Sequence, residues 1–372
     1  MRVITTTFIF LAFAIPAANA QIQPQTVQPN EIMSDPGENW FMAISGNAIG
    51  GGGAYIFDGT TGEMQGLVTM GGRSPGVQPS MARKEFYSPA TFHTRGAYGE
   101  REDLLIVHDF ENLSPIAEIE IPDKITMLRY RAYLGMMSDG RHLGINNLTP
   151  AQSITIVNVE DREFVGEVST PGCSLVMPVE NNDFLTICGD GTLMLINLDE
   201  NGREENRIRS EKFFELTEDP IFDRPQRTNN GWFLFTNGGK GFNVTTSGDA
   251  ITVNHAFDIV TKENAEEGWW PGGGEHATVH KDMGLLYVTM HQGEKYSHHQ
   301  PGTEVWIFSM ASERRIARIE FETPVNHIMV TQEDQPLLIV GDEEGGTHVY
   351  DALKFTHERT IEMPGTIMYV DL

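Results

Sequence analysis

Histidines are the residues most able to do chemistry in this chain, and several lie close together in its last third. His276 and His280 have the spacing of a zinc-binding helix pair, but no glutamate follows the first histidine and the segment predicts a strand and a turn. His298 and His299 lie on a loop, where a metal ion would need further ligands that the sequence does not identify. The histidine pattern therefore predicts no metal site.

Two glycine runs, Gly50–Gly53 and Gly272–Gly274, invite a phosphate-binding interpretation. Phosphate loops precede the first turn of a helix, whereas both of these runs lead into segments rich in β-forming residues. The glycines therefore predict tight backbone turns. The chain also has no nucleophile-elbow motif and no cofactor-binding signature.

Aromatic residues flank the histidine loop. We predict that Trp269, Trp270 and Tyr296 form, with His298 and His299, a contact surface for a partner or an organic cation. Internal packing is the alternative reading. That alternative is preferred for Trp306, which lies within a predicted strand.

Strands position these loops. Leu285–Met290 and Val305–Phe308 are short apolar runs of β-forming residues, and Arg315–Phe321 alternates polar with apolar residues. The unit reads as strand, long loop, strand, turn, strand, which is most of one propeller blade. Glu204–Phe214 is the best helical candidate in a chain that otherwise predicts strands.

The strand-and-turn pattern recurs seven times. Its anchor residues are 39 to 63 residues apart, and they are Ile56, Val107, Ile156, Leu195, Val244, Ile307 and Val349. Such a period predicts an all-β, seven-bladed β-propeller over residues 39–372. The longest interval contains the histidine loop. Its extra length indicates either a surface that binds a partner or a simple variation in loop length.

The two ends of the repeat predict ring closure. Thr366–Leu372 reads as a strand with no partner nearby in sequence, and Asn39–Ser45 begins a blade that lacks its inner strand. We predict that the N- and C-terminal strands pair, which removes the open sheet edges.

The first 20 residues predict an export signal. Arg2, the apolar Ile9–Ile15 and the small residues Ala18 to Ala20 match a signal peptide cleaved after Ala20. Residues 21–38 then predict a flexible arm. No later run is long enough to span a membrane.

The formal net charge of −26 predicts repulsion from nucleic acid and anionic membranes. It would suit cationic substrates or a basic partner, and solubility alone would also explain it.

The two cysteines predict a disulfide in an exported protein. A turn at Glu180–Asp183 lies midway between Cys173 and Cys188. A hairpin centred there would place the two cysteines directly opposite each other, where a bridge is possible.

Several stretches resemble one protein family. These are the Trp-x-Pro-Gly-Gly run that begins at Trp269, Glu304–Phe321, Ile119–Asp123, the cysteine pair and Asp334–Leu338. The likeness extends from about Tyr55 to about Asp351. It is to the large (heavy) subunit of the quinoprotein amine dehydrogenases, which act on methylamine or aromatic amines.

The resemblance implies a periplasmic seven-bladed propeller that carries no catalytic residue of its own. Its partner would be a small cysteine-rich subunit that bears tryptophan tryptophylquinone, in a heterotetramer that oxidises a primary amine. Electrons would pass to a small copper protein.

The chain departs from the family pattern at one point. A channel-lining phenylalanine of the methylamine enzymes would fall near Ala48 or Ile49, neither of which is aromatic. Two alternatives stay open: an exported metal-dependent, lactonase-like propeller hydrolase, and a propeller that only binds proteins.

Overall fold

The protein is built almost entirely of β-strands. The computed structural model describes residues 32–47, 51–123, 125, 128–363 and 365–372. These contain 28 strands and a single short α-helix, α1, at Lys262–Glu266. None of the helices described is long and apolar enough to cross a membrane. The predicted all-β class is confirmed.

The first fifteen strands supply most of four sheets. They are Trp40–Asn47 (β1), Gly51–Asp58 (β2), Met64–Met70 (β3), Gln78–Ser80 (β4), Glu85–His93 (β5), Arg101–Asp109 (β6), Pro115–Ile121 (β7), Leu134–Met136 (β8), His142–Asn147 (β9), Ser153–Asn158 (β10), Glu163–Ser169 (β11), Cys173–Pro178 (β12), Phe184–Cys188 (β13), Leu193–Leu198 (β14) and Glu204–Arg209 (β15). Strands β4–β7, β8–β11 and β12–β15 each form a four-stranded antiparallel sheet.

The remaining strands complete the molecule. They are Gln226–Thr228 (β16), Gly231–Phe235 (β17), Lys240–Ser247 (β18), Ala250–Asp258 (β19), Trp269–Pro271 (β20), Ala277–His280 (β21), Leu285–Gln292 (β22), Gly302–Ser309 (β23), Arg314–Val330 (β24), Leu337–Asp342 (β25), Gly346–Asp351 (β26), His357–Glu362 (β27) and Thr366–Asp371 (β28). Strands β16–β19 form a fourth sheet, β28 joins β1–β3 in a fifth, and β20–β27 form one eight-stranded sheet.

These sheets form a β-propeller. Among the described residues, five sheets have four strands each, rather than the seven separate blades predicted. Strands β20–β27 are hydrogen-bonded into one sheet because β24 runs for 17 residues without interruption. Its first part pairs with β23 and its second part with β25.

The predicted closure by the two terminal strands is confirmed. Strand β28 pairs antiparallel with β1, and the register runs from Phe41 opposite Asp371 to Ile44 opposite Met368. Without β28, the backbone groups along one edge of β1 would have no partner.

The sequence period has a structural cause. All seven anchor residues lie in the third strand of a four-stranded unit, and each is at most 1% exposed. The turn after that strand is often closed by an Asp or Asn side chain: Asp58, for example, accepts from the backbone N–H groups of Thr60 and Thr61. Asp109, Asn158 and Asp351 do the same in their own units.

The core lies between neighbouring sheets. Met42 and Ile56 of the first sheet pack with Phe86 and Phe110 of the second, and all four are buried. Burial of such side chains stabilises a fold by about 1.5–3 kcal/mol each, so each sheet depends on its neighbours.

Seven strands surround a central cavity of about 570 Å³. They are β4, β8, β12, β16, β21, β24 and β28, here called the inner strands. We call the end of the ring where the inner strands begin the N-face, and the end where they finish the C-face. The cavity lining includes Val179, Lys281 and Gln332, which follow inner strands, so the cavity extends to the C-face.

The predicted disulfide is present. Cys173 and Cys188 are bonded, and they lie directly opposite each other in the β12–β13 hairpin. The register slips by one residue further along, where Leu175 adopts a left-handed φ of 81°. Asn146 of the preceding sheet accepts a hydrogen bond from the Leu175 N–H at 2.9 Å and supports this bulge.

The helix predicted at Glu204–Phe214 is absent, and that prediction is wrong. Glu204–Arg209 forms β15, the outermost strand of its sheet. Most of its side chains are exposed, so charged residues are tolerated on both faces of the strand. The alternation of polar and apolar residues that is typical of a half-buried strand is therefore missing. Pairing with β14 overrides the helical propensity of these residues.

Candidate functional site

A polar pocket rich in histidine opens at the N-face. It has a volume of about 460 Å³. The residues that line it lie before the inner strands β8, β16 and β21, within β24, or in the β17–β18 and β22–β23 loops. They are Tyr130, Pro220, Ile221, Phe222, Asp223, Arg224, Asn237, Gly273, Gly274, His276, His298, His299, Asn326 and His327.

The structure brings the predicted His298 and His299 into this histidine pocket, with their ring centroids 4.1 Å apart. It adds His276 and His327, to which the sequence assigned no role. The His276 ring centroid lies 4.1 Å from that of Phe222. Four histidines from three separate segments therefore meet in one pocket.

The four histidines do not form a metal site. Within the described part of the chain, no group of three or more His, Cys, Asp or Glu side chains has a geometry that could hold a metal ion. What the pocket presents instead is a set of hydrogen-bonding groups in an aromatic frame.

An ion-pair cluster lies beneath the pocket. Glu275 is 2% exposed, and its carboxylate lies 3.7 Å from Arg131 Nε and 3.5 Å from Arg224 Nε. Arg131 also donates to the carbonyl of Ile328, and Arg224 donates to that of Gly274 at 2.9 Å. Because a buried carboxylate is strongly disfavoured without partners, two arginines from different sheets hold Glu275 in place.

Tyr130 forms one wall of both cavities. The Arg224 guanidinium carbon lies 3.5 Å from the centroid of the Tyr130 ring. This cation–π contact fixes the tyrosine between the histidine pocket and the central cavity.

Three histidines of the pocket have a pKa below the usual value for histidine. Burial lowers the pKa of His276 well below its usual value, and the nearby positive charge of Arg224 lowers it further. Burial, Arg131 and Arg224 lower the pKa of His327 to about 4. Burial followed by the neighbouring His299 lowers the pKa of His298.

Ring nitrogens of two pocket histidines face backbone groups. His276 Nδ1 faces the Gly273 carbonyl at 3.4 Å, and no described residue hydrogen-bonds to its Nε2. His327 Nδ1 accepts from the Glu275 N–H at 3.3 Å. His276 Nε2 is therefore available to a polar group of a ligand or partner.

Exposed aromatic and aliphatic side chains surround the pocket on the N-face. Loops that join the second and third strands of a unit, or that lead into an inner strand, open on this face. Five large apolar side chains in or beside such loops are at least 41% exposed in the described structure: Phe92, Tyr98, Leu128, Leu216 and Tyr296. Exposed aromatic residues of this kind are typical of protein interfaces.

Tyr296 lies where the sequence placed it, on an exposed loop. Its ring is 46% exposed, and its hydroxyl donates to the backbone carbonyl of Glu218. This bond joins the β22–β23 loop to the segment that precedes β16. A role in partner binding stays a prediction.

Trp269 was predicted to join that contact surface, but its side chain is only 7% exposed in the described structure, and its predicted role is untested. Its ring packs 5.3 Å from that of Trp306, with the Arg318 guanidinium 5.1 Å from its centroid. Trp270, on the opposite side of the strand, is half-buried. The internal packing predicted for Trp306 is confirmed, since that side chain is fully buried.

Ala48 and Ile49 lie outside the described residues. They follow β1, whose last part is anchored by a hydrogen bond from Arg129 to the Gly46 carbonyl at 3.0 Å. Their predicted channel-lining role is untested.

Residues 46–369 match the family "Methylamine dehydrogenase heavy chain (MADH)". The match covers most of the chain and nearly all of the propeller. The chain belongs to the methylamine dehydrogenase heavy chain family.

Other heavy chains of this family are distant relatives. The methylamine dehydrogenase heavy chain of Methylophilus methylotrophus is 28% identical over 89% of this chain and 80% of its own length. That of Paracoccus versutus is 24% identical over 84% of this chain and 73% of its own length.

Solved structures share the fold at lower identity. One is the dihydro-heme d1 dehydrogenase NirN in complex with DHE, with a TM-score of 0.58 and 15% identity over 94% of this chain and 79% of the other. A functionally unknown protein from Desulfotomaculum acetoxidans has a TM-score of 0.59 and 13% identity. The match covers 89% of this chain and 99% of the other. At such identities the likeness concerns the fold alone.

Proposed function

We propose that this protein is the large, non-catalytic subunit of a periplasmic amine dehydrogenase that oxidatively deaminates primary amines. The observation that carries the proposal is the heavy-chain family match over residues 46–369. The resemblance seen in the sequence points the same way.

The reactive cofactor, tryptophan tryptophylquinone, would belong to a small cysteine-rich partner subunit within a heterotetramer. Trp269 and Trp306 lie close together, but both are buried and covered by Arg315 and Arg318. Electrons would leave the partner for a small copper protein.

The N-face is the proposed docking surface for the partner. It combines exposed aromatic rings with the histidine pocket, so an incoming subunit meets apolar and hydrogen-bonding groups together. The loop that carries Ala48 and Ile49 would join this surface and border the amine channel.

We also propose that the ring has seven blades. On this reading the eight-stranded sheet is two blades, and β24 serves as the outer strand of one and the inner strand of the next. The seven inner strands around the central cavity support this count.

Neither alternative class gains support from the described residues. A lactonase-like site would need carboxylates that converge on the central channel, and Asp371 is the single carboxylate in the described lining of the central cavity. A module that only binds proteins has no observation in its favour over a dehydrogenase subunit.

Co-expression tests the proposal. The chain should form a stable complex with its small subunit, and this complex should reduce an artificial dye when given a primary amine. Phe92→Ala combined with Tyr98→Ala should weaken assembly by about 2 kcal/mol or more. Phe164→Ala is the matched control, since Phe164 is 40% exposed but lies on an outer strand.

Two results would overturn the proposal. One is amine-dependent turnover by the purified single chain. The other is purification from the native source, under conditions that preserve complexes, without any small cysteine-rich protein.

A further inference from the structure

The central cavity carries a charge opposite to that of the protein. The whole chain has a net charge of −26. Among its described lining residues, however, are the cations Arg131, Arg227 and Lys281 and the one carboxylate of Asp371. Arg131 is already paired with Glu275, so Arg227 and Lys281 supply the positive charge that remains. A net positive cavity in an acidic protein concentrates anions at that point.

Arg227 is a cation held in position by a carbonyl and an aromatic ring. Its Nη1 donates to the carbonyl of Pro178, and its guanidinium carbon lies 5.2 Å from the centroid of the Trp232 ring. No carboxylate in the described part of the chain lies within ion-pair distance of it. Burial lowers the pKa of Arg227, against the opposing charge of Glu180.

Lys281 lies in the neighbouring loop at the same rim. Its backbone N–H donates to Gln332 Oε1 at 3.1 Å, which fixes its place at the end of β21. The following Asp282 accepts from Asn229 at 2.9 Å and ties this loop to the one that follows Arg227. Within the described residues the Lys281 amine forms no ion pair, although its charge acts on the carboxylate of Asp371.

The depth of the cavity is apolar. Leu134, Val176, Val279, Met329 and Met368 line it further inside the ring. A volume of about 570 Å³ falls within the range of small-molecule sites, which combine an apolar body with a few placed polar groups.

We propose that the central cavity binds a small monocarboxylate with a compact apolar body. Its carboxylate lies at the C-face rim between Arg227 and Lys281, and its apolar body lies toward Leu134 and Met329. This site is separate from the N-face and does not rest on the proposed dehydrogenase function.

Calorimetric titration of the purified full chain tests the proposal with three probes that share one apolar body. These are 4-phenylbutyrate, the neutral 4-phenylbutanamide and the cationic 4-phenylbutylamine. The carboxylate should bind, the amide should bind roughly tenfold or more weakly, and the amine should not bind. Arg227→Gln and Lys281→Gln should each weaken carboxylate binding roughly five- to tenfold.

Fluorescence locates the binding. Trp232 lines the cavity and stacks with Arg227, so 4-phenylbutyrate should change its emission, and Trp232→Phe should abolish the change. Arg203→Gln is the control, because Arg203 lies in the exposed turn between β14 and β15 and outside the cavity lining.

The proposal is overturned if the folded chain shows no heat of binding with millimolar carboxylate. Equal affinity for carboxylate and amide would also overturn it, since the cations would then play no part. So would a carboxylate affinity that Arg227→Gln and Arg203→Gln reduce to the same extent.

Discussion

Arg131 donates a hydrogen bond through Nη2 to the backbone carbonyl of Ile328, at 2.7 Å and across 197 residues of sequence. The same guanidinium lies 3.7 Å from the buried carboxylate of Glu275. One side chain thus joins the segment before β8 to both β24 and the segment before β21.

Arg131→Met should therefore destabilise the protein by about 2 kcal/mol or more, because it leaves a buried carbonyl without its donor and a buried carboxylate with one partner fewer. Chemical denaturation measures the loss. Arg141→Met serves as the control, since Arg141 and its partner Asp139 are more exposed, and it should change stability by less than about 1 kcal/mol. Equal losses in the two variants would contradict this account of the cluster.

Replacing Cys173 and Cys188 together by alanine should lower the free energy of unfolding by about 3 kcal/mol, because the unfolded chain gains the freedom of a closed loop. The sheet should survive, since β12 and β13 remain paired by backbone hydrogen bonds. Non-reducing peptide mapping of the native protein should recover one linked pair. Two alkylatable thiols in unfolded, unreduced protein would refute the bond.

Deletion of residues 366–372 should cause aggregation or the loss of cooperative unfolding, because β1 would lose its partner and expose a sheet edge. Light scattering and thermal melts follow the effect. Removal of Leu372 alone, which lies beyond β28, should leave both unchanged. An unaltered melt of the longer deletion would mean that the ring does not depend on this pairing.

Asp371→Asn should stabilise the protein at pH 8 by on the order of 2 kcal/mol. Burial followed by the charge of Glu333 raises the pKa of Asp371 from 3.8 to about 7, against the opposing influence of Lys281 and Arg131. Between these pH values the folded state therefore keeps a proton on Asp371 that the unfolded state releases. The free energy of unfolding that this group contributes falls as pH rises from about 4 to about 7. Denaturation at pH 8 and pH 5 should show the gain shrinking at the lower pH, and Glu200→Gln, on an exposed turn, should show no such trend.

Tyr296→Ala should weaken assembly with the small subunit by about 2 kcal/mol while the fold stays intact, if its exposed ring is an interface anchor as proposed. Tyr296→Phe should keep most of the affinity because the ring remains. Binding titrations of the two variants beside Phe164→Ala separate a contact from a general surface effect. Unchanged affinity in Tyr296→Ala would remove this residue from the docking surface.

Local patterns in the sequence were sufficient for much of the fold. Third strands such as β10 (Ser153–Asn158) are largely buried and are followed by polar turns. The regular spacing of these strands could therefore be recognised in the sequence. The cysteine register followed from the position of one turn. The exposed outer strand β15 was not predictable in this way, because its side chains face water and need no apolar alternation.

The histidine pocket was only partly predictable. His298 and His299 were visible as a loop pair, but Arg131, Arg224 and Glu275 lie in distant segments and are joined only by the closure of the ring. No local signal marks a buried ion pair of this kind. Its partners are defined by which inner strands become neighbours, which depends on the tertiary structure.

The uninterrupted strand β24 couples the motions of strands β20–β27. A strand that belongs to two hydrogen-bonded ladders cannot detach from one without disturbing the other. Amide protons of β22–β23 and of β25–β26 should therefore exchange with solvent as one cooperative unit, with a shared opening free energy. Asn326 and His327 lie on that strand and form part of the wall of the histidine pocket. Opening of this wall should therefore require the opening of an eight-stranded sheet rather than a four-stranded one.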